Sequence, residues 1–253
     1  MKQRIGFFDS GVGGLSLLPA VQNSLPYEDI IYIADHGFFP YGEKSKEAML
    51  NRAKLLTEAL IEQQCKLIVV ACNTVTTQVI DILREQYNLP FIGIEPAIKP
   101  AALKTKTGVV GVLATKGTLK SERYHQSSLH HTTGIRIVEQ IGEGLVNIVE
   151  ENAVEDEATL ALLSKLVMPM VSENIDTLVL GCTHYPFLTP SLKKVLPESV
   201  EILDNSKAVA QQIEKVLKKE ELLSLDKSVG ETQYFTSGDT LSWKNITFTP
   251  LPL

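Results

Sequence analysis

The chain has 253 residues, of which 44% are hydrophobic, enough to build a sizeable core in one large domain or two small ones. Its 24 Lys and Arg residues and 30 Asp and Glu residues give a formal net charge of -6, and no segment gathers the basic residues into a stripe. This charge pattern argues against nucleic acid as a primary partner. Three cysteines are an odd and sparse set, which indicates reduced thiols rather than a disulfide framework.

The amino-terminal segment gives no sign of export. It carries two cations but only a four-residue apolar run before Asp9, which is too short for the core of a signal peptide. No stretch elsewhere approaches the length of a membrane span. We therefore expect a cytoplasmic protein with no membrane partner.

Short apolar runs alternate with amphipathic windows along the chain. Eight runs predict strands, at residues 5–8, 30–34, 67–71, 91–94, 109–113, 135–138, 178–181 and 200–203. Apolar residues at helical spacing predict helices around residues 48–60, 160–167 and 206–218. This alternation predicts the α/β class, with parallel sheets flanked by helices.

The predicted strand ends recur in the two halves of the chain. The interval from Asp9 to Cys72 is 63 residues, and the interval from Thr115 to Cys182 is a similar 67 residues. Each of these four residues stands at the end of a predicted strand. We expect two similar α/β lobes, residues 1–97 plus 207–253 and residues 98–206, related by a pseudo-dyad. Ligands of open α/β sheets collect at the carboxyl ends of strands, so the active site is expected between the lobes.

Two of the cysteines, Cys72 and Cys182, each follow a buried-strand pattern and precede hydroxyl, amide or imidazole side chains. A thiol, with an ordinary pKa near ~8.5, can be tuned to exchange protons near neutral pH, and a helix N-terminus after each strand would stabilise the thiolate. A single cysteine is more often a small core residue, which is our interpretation of Cys65. The recurrence favours a paired site of the kind that inverts a stereocentre by proton transfer.

Polar residues beside the cysteines have two interpretations each. The turn from Asp9 to Gly14 suits a small anion such as a carboxylate, or Asp9 simply caps the next helix, and the spacing of nucleotide-binding motifs is absent. His184 is the natural proton partner of Cys182. Together they form half a zinc site with no second pair to complete it, so we expect no metal.

Two further segments are candidates for ligand contact. Thr115 and Thr118 can hold a carboxylate with their hydroxyl and NH groups, although Thr118 can equally be a helix N-cap. The segment from Asp35 to Gly42 has the pattern of a rigid turn with the phenol of Tyr41 at its tip, or of a surface loop.

Together these stretches resemble the glutamate racemase family, within the cofactor-independent aspartate and glutamate racemase superfamily. The matching segments span residues 7–187 and are Phe8-Asp-Ser-Gly-Val-Gly-Gly, Pro40-Tyr-Gly, Ala71-Cys-Asn-Thr, Gly93-Ile-Glu-Pro, Ala114-Thr115 with Thr118, Ser121 and Tyr124, and Leu180-Gly-Cys-Thr-His-Tyr-Pro. Two segments depart from the family: the aromatic run His36-Gly-Phe-Phe, and the carboxyl-terminal segment, which lacks the usual closing helix.

The resemblance implies cofactor-independent interconversion of L- and D-glutamate, with neither pyridoxal phosphate nor metal. Cys72 would deprotonate D-glutamate with assistance from Asp9, and Cys182 would deprotonate L-glutamate with assistance from His184. The residues expected to hold the substrate are Asp9, Ser10, Tyr41, Gly42, Asn73, Thr74, Thr118, Glu150, Thr183 and His184. The product D-glutamate would supply peptidoglycan synthesis, and we expect a homodimer.

Two other classes of function stay open at this point. A hydrolase or lyase would use one cysteine as nucleophile or proton donor, with His184 beside it. A sensor of small anions would bind a ligand without turnover, but that hypothesis leaves the paired cysteines unexplained.

Overall fold

The computed structural model describes residues 3–131 and 134–251, and the chain divides into two compact units. The first unit comprises Met1–Ile94 and Ser206–Leu253, and the second comprises Glu95–Asn205. Each unit contains one sheet flanked by helices, so the predicted α/β class is confirmed.

All eight predicted strands are confirmed, with small shifts at their ends, and three more strands follow them. The strands are β1 (Arg4–Asp9), β2 (Asp29–Ala34), β3 (Cys65–Val70), β4 (Phe91–Gly93), β5 (Val109–Ala114), β6 (Arg136–Ile141), β7 (Thr177–Gly181), β8 (Glu201–Leu203), β9 (Thr232–Thr236), β10 (Leu241–Trp243) and β11 (Ile246–Pro250). The central strands are buried along their whole length, which is why they read as continuous apolar runs.

The three predicted helices are confirmed as α2, α8 and α10. The helices are α1 (Leu18–Ser24), α2 (Lys46–Glu62), α3 (Asn73–Gln86), α4 (Ile98–Lys104), α5 (Lys116–Leu119), α6 (Glu122–His131), α7 (Leu145–Glu150), α8 (Glu157–Ser172), α9 (Thr189–Val195) and α10 (Ser206–Lys219). Helix α2 begins after Ser45, whose hydroxyl accepts the NH of Ala48 at 3.2 Å and so caps the helix.

The sheet of the first unit has seven strands in the order β10-β11-β9-β2-β1-β3-β4. All neighbouring pairs are parallel except β10 and β11, which form an antiparallel hairpin at one edge. Strand β2 lies at the centre of the sheet, with β1 and then β3 as interior strands on one side of it. Helices α2 and α3 pack their apolar residues against these three strands.

The sheet of the second unit has four parallel strands in the order β6-β5-β7-β8. Strands β5 and β7 lie at its centre and are buried throughout, whereas β6 is partly exposed along the edge. Within the described part of the chain, no helix combines the length and apolar character that crossing a membrane requires.

Candidate active site

Polar residues follow neighbouring parallel strands of the first sheet. Asp9 ends β1, Asp35 follows β2, and Cys72 follows β3 by two residues. Because these strands are parallel neighbours, their carboxyl ends lie at one edge of the sheet and bring the three side chains to the same place. The NH of Asp35 donates to the carbonyl of Asp9 at 2.8 Å, which joins two of these strand ends directly.

Asp9 is fully buried and is held by the turn that it begins. Its Oδ1 accepts the NH of Ser10 at 2.8 Å, and its Oδ2 accepts the NH of Gly14 at 2.6 Å. The segment that follows starts as a 3₁₀ turn, Gly13–Leu17, before α1 begins at Leu18. A Cβ at Gly14 would lie 2.8 Å from Ala71 Cβ, so this close approach requires glycine.

Cys72 occupies the N-cap position of α3, as predicted, and is almost completely buried. The amide of Asn73 donates to the carbonyl of Ile94 at 3.2 Å, which ties the first residue of α3 to the end of β4. The first turn of a helix directs NH groups out of its end, where an anion is favoured. Cys72, Asn73 and Thr74 therefore form a buried start of a helix suited to a thiolate or a carboxylate.

Tyr41 is buried, which does not fit the alternative that the segment from Asp35 to Gly42 is a surface loop. Its side chain is 2% exposed, and its hydroxyl donates to Oδ2 of the buried Asp35. Burial and the neighbouring Asp35 raise the pKa of Tyr41 well above its ordinary value, with a further contribution from Cys72. Gly42 is exposed, and a Cβ added there would meet nothing within 4 Å.

The carboxylate of Asp35 is also paired with Arg52 on α2, whose Nη2 lies 2.6 Å from Oδ1. Asp35 begins the segment that the sequence singles out for ligand contact, whereas no sequence pattern points to Arg52. The available signal was the position of Asp35 directly after a buried strand, the same position that singled out Asp9.

In the second unit, Cys182 and His184 follow β7, and Glu150 ends α7. Cys182 Sγ lies 3.7 Å from Nδ1 of His184, and Nε2 of the same ring lies 2.6 Å from Oε1 of Glu150. All three side chains are almost completely buried. The arrangement can pass a proton between the thiol and the imidazole, whose charge the carboxylate would stabilise.

The helical segment that follows Cys182 does not begin as an α-helix. The chain after Cys182 forms a 3₁₀ turn, Tyr185–Leu188, and α9 begins only at Thr189. Pro190 lies in the first turn of α9 and has no NH to donate to the carbonyl of Pro186, so that bond is missing where the 3₁₀ turn meets α9. His184, rather than a helix N-terminus, is the neighbouring group that can favour the Cys182 thiolate.

Thr118 is fully buried at the carboxyl end of β5, the neighbour of β7. Its NH donates to Oγ1 of Thr115 at 3.3 Å, and the two hydroxyl oxygens lie 3.0 Å apart. Thr115 is therefore the N-cap of α5, and the alternative that Thr118 is an N-cap is wrong. Thr183 is also buried, between Cys182 and His184 in the sequence.

The structure thus brings the candidate residues together as two groups. Those in the first unit are Asp9, Ser10, Tyr41, Gly42, Cys72, Asn73 and Thr74, and those in the second are Thr118, Glu150, Cys182, Thr183 and His184. Each group contains one buried thiol and groups able to hold a carboxylate. Across residues 3–131 and 134–251, no cluster of three or more His, Cys, Asp and Glu side chains is arranged to hold a metal ion.

Comparisons with known proteins identify extensive similarity. A family model described as Asp/Glu/Hydantoin racemase matches residues 16–213. A curated glutamate racemase from Ectopseudomonas mendocina is 47% identical over 236 residues, which cover 93% of this chain and 89% of that protein. The crystal structure of Escherichia coli glutamate racemase in complex with L-glutamate and the activator UDP-MurNAc-ala is 35% identical, with a TM-score of 0.83, over 94% of this chain and 90% of that one. Francisella tularensis glutamate racemase in complex with D-glutamate is 31% identical, with a TM-score of 0.81, over 94% and 89%.

Proposed function

The chain belongs to the Asp/Glu/Hydantoin racemase family, and on that premise we propose that it is a glutamate racemase using Cys72 and Cys182 as its two acid/base residues. The observation that carries this proposal is the duplication of the thiol: in each unit a buried cysteine follows the carboxyl end of an interior parallel strand, with polar groups around it. The similarity to racemases that bind L-glutamate and D-glutamate supports the choice of substrate.

Racemisation by two thiols needs no change in bonding other than two proton transfers. In the L-to-D direction, the Cys182 thiolate takes the α-proton, and the Cys72 thiol then donates its proton to the opposite face of the α-carbon. The reverse direction exchanges these roles. Each turnover leaves the proton on the other cysteine, and the thiols must exchange with solvent before the next molecule of the same enantiomer reacts.

The main barrier is the weak acidity of the α-proton, because no cofactor in this proposal delocalises the carbanion. Donors aimed at the α-carboxylate would stabilise the negative charge that develops in the transition state. The NH groups at the start of α3 and the hydroxyls of Thr118 and Thr183 suit this role, since all are buried and lie beside a thiol or its neighbouring strand.

His184 would assist Cys182 by accepting the thiol proton at Nδ1. The close approach of Glu150 to Nε2 supports this role, because a carboxylate there favours a proton on Nε2 and leaves Nδ1 as an acceptor. In the first unit, Asp9 would assist Cys72. Its carboxylate is fixed by two backbone NH groups at the carboxyl end of the strand beside β3.

The decisive test is racemisation in deuterated buffer with a chelator and no added cofactor. The pure protein is incubated with L-glutamate while optical rotation and α-proton exchange are followed. We expect rotation to fall to zero and deuterium to enter the product. If L-glutamate, D-glutamate and aspartate are all inert, the racemase proposal is wrong, and a single-cysteine enzyme or an anion sensor becomes the better hypothesis.

Single substitutions separate the two thiols. Cys72→Ser and Cys182→Ser should each lower racemisation by about 10²–10⁴-fold in both directions, because each direction needs one base and one acid. Residual α-proton exchange should favour L-glutamate in Cys72→Ser and D-glutamate in Cys182→Ser. Cys65→Ala is the matched control, since burial raises the pKa of Cys65 to about 12 and it begins β3, at the end of the strand opposite Cys72.

We further propose that the D-glutamate supplies peptidoglycan synthesis, and that the enzyme works as a cytoplasmic homodimer. Restored growth of a bacterial strain that requires D-glutamate would support the first point, and the Cys72→Ser variant is its control. Sedimentation of the purified protein gives the oligomeric state directly.

A further inference from the structure

A buried polar node outside the predicted catalytic residues lies where β2 ends. Asp35 is fully buried, and its two oxygens accept hydrogen bonds from Arg52, from the hydroxyl of Tyr41 and from the hydroxyl of Ser237. These partners lie on α2, in the turn after β2, and directly after β9. One carboxylate therefore joins three segments of the first unit: the turn after β2, helix α2 and the stretch after β9.

The node is balanced in charge. A buried carboxylate is costly unless a cation pairs with it, and Arg52 does so with Nε at 2.9 Å and Nη2 at 2.6 Å. Hydrogen bonding to Asp35 raises the pKa of Arg52, so the guanidinium stays charged. The hydrogen bonds of the Asp35 oxygens with Arg52, Tyr41 and Ser237 are all ones that these oxygens accept.

The bond to Asp35 determines which hydrogen-bonding role the Tyr41 hydroxyl can have toward other groups. A phenol has one hydrogen to donate, and Tyr41 gives it to Asp35. The phenol oxygen can therefore only accept further hydrogen bonds. Tyr41 packs in the same buried cluster as Cys72, so the acceptor belongs to the immediate surroundings of that thiol.

The node also fixes both ends of the segment that carries Tyr41 and Gly42. The hydroxyl of Ser237 accepts the NH of Gly37 at 3.1 Å while it donates to Asp35, which holds the start of the segment. The Tyr41 hydroxyl bond holds its end. The carboxyl-terminal strands, which depart from the family pattern, thus reach the candidate site through Ser237.

We propose that Asp35 is a positioning residue for substrate binding, which acts through Tyr41 by fixing the phenol as an acceptor and holding the Tyr41–Gly42 segment in place. The proposal rests on the proposed racemase function, in which that segment contacts glutamate. Arg52 forms the ion pair with Asp35, and Ser237 anchors the segment from β9. None of these three residues touches the reacting atoms.

A double-mutant cycle of Asp35→Asn and Tyr41→Phe tests the proposal. An asparagine can donate to the phenol and so reverse its polarity, and we expect KM for both enantiomers to rise about tenfold while kcat changes less than about threefold. In the Tyr41→Phe background the same substitution should change KM less than about twofold. An equal rise in both backgrounds, or a fall in kcat with KM unchanged, overturns the proposal.

Two further variants keep the test informative. Ser237→Ala removes one bond to Asp35 without removing its charge, and we expect a smaller rise in KM, about threefold, with kcat unchanged. If Asp35→Asn fails to fold, an unchanged KM in Ser237→Ala overturns the proposal. Tyr87→Phe is the matched control, because it removes a phenol bond to a carboxylate, Glu58, in the same unit and should leave KM unchanged.

The outcome separates this inference from the proposed function. Wild-type protein that does not racemise glutamate contradicts the proposed function itself. Wild-type protein that racemises glutamate, combined with additive effects in the cycle, contradicts only the role of Asp35.

Discussion

Glu150 lies 2.6 Å from the ring nitrogen of His184 that faces away from Cys182. The two residues are 34 positions apart, and both side chains are almost completely buried. A neutral imidazole has one donor and one acceptor nitrogen, so a carboxylate at Nε2 determines which nitrogen meets the thiol. The pair therefore makes Glu150 a positioning residue for His184, in addition to the substrate contact that the sequence resemblance implies.

Replacing Glu150 with Gln keeps the shape of the side chain but removes its charge. We expect kcat to fall about 10- to 100-fold with a smaller change in KM, because the imidazolium that forms during proton transfer loses its stabilising carboxylate. Steady-state kinetics with each enantiomer provides the measurement. The two values of kcat/KM must stay equal because the enantiomers are equally stable.

Glu139→Gln is the matched control, since Glu139 also bonds a buried side chain of the second unit, the hydroxyl of Tyr124, at 2.9 Å. A rise in KM with kcat unchanged in Glu150→Gln would instead identify Glu150 as a substrate ligand only.

Gly42 and Gly14 should respond oppositely to alanine. A Cβ at Gly42 has open space around it, so Gly42→Ala should fold with unchanged stability while KM rises, because the side chain meets only an approaching ligand. A Cβ at Gly14 would lie 2.8 Å from both Ala71 Cβ and Tyr32 Oη, and Gly14→Ala should lose about 1–3 kcal/mol. Thermal unfolding and kinetics of both variants check this, and a destabilised but fully active Gly42→Ala would contradict it.

The ion pair of Glu28 and Lys66 is a buried structural element of the first unit. The two charged atoms lie 2.6 Å apart with side chains 2% and 3% exposed, and Glu28 also accepts the NH of Ser224 at 2.6 Å. Lys66→Met should destabilise by about 3–5 kcal/mol, because it leaves Glu28 charged and buried. Adding Glu28→Gln should recover part of this loss in denaturant unfolding. If the double variant loses as much stability as Lys66→Met or more, then the packing of the two side chains, and not their charges, stabilises this part of the first unit.

Asp176 should make the second unit sensitive to acid. Burial acts to raise its pKa, but hydrogen bonds from Thr105, from the NH groups of Lys106 and Thr107, and from Thr177 outweigh it and lower the pKa to about 2. The folded-state pKa lies below the unfolded value of about 3.9, so the stabilisation is complete above pH 4 and is lost as pH falls from 4 towards 2.

Asp176→Asn should therefore lower the free energy of unfolding at pH 7 by about 1 kcal/mol. This figure is reduced for solvent screening because the side chain is only half-buried. The difference in unfolding free energy between the variant and wild type should vanish near pH 2. Asp156→Asn is the control, since Asp156 is exposed and makes no side-chain capping bond to α8. A difference from wild type that is constant with pH would contradict the assignment.

The sequence predicts the strands and the polar strand ends well, because the buried parallel strands are continuous apolar runs. It does not predict β9, β10 and β11, which are short, mix polar with apolar residues and are only partly buried. The contacts of Asp35 with Arg52 and of Glu150 with His184 also escape sequence reasoning. Each joins residues from different elements, and no local pattern specifies which buried charges meet.

The position of β9 between β2 and β11 governs when the first unit can be completed during synthesis. The second unit is continuous in sequence and is available to fold as soon as Asn205 leaves the ribosome. The first unit must wait with the edge of β2 unpaired until β9, some 200 residues later, has been translated. Ser237 arrives at Asp35 in the same step, so a nascent chain that stops before β9 lacks both a sheet neighbour and part of its polar node.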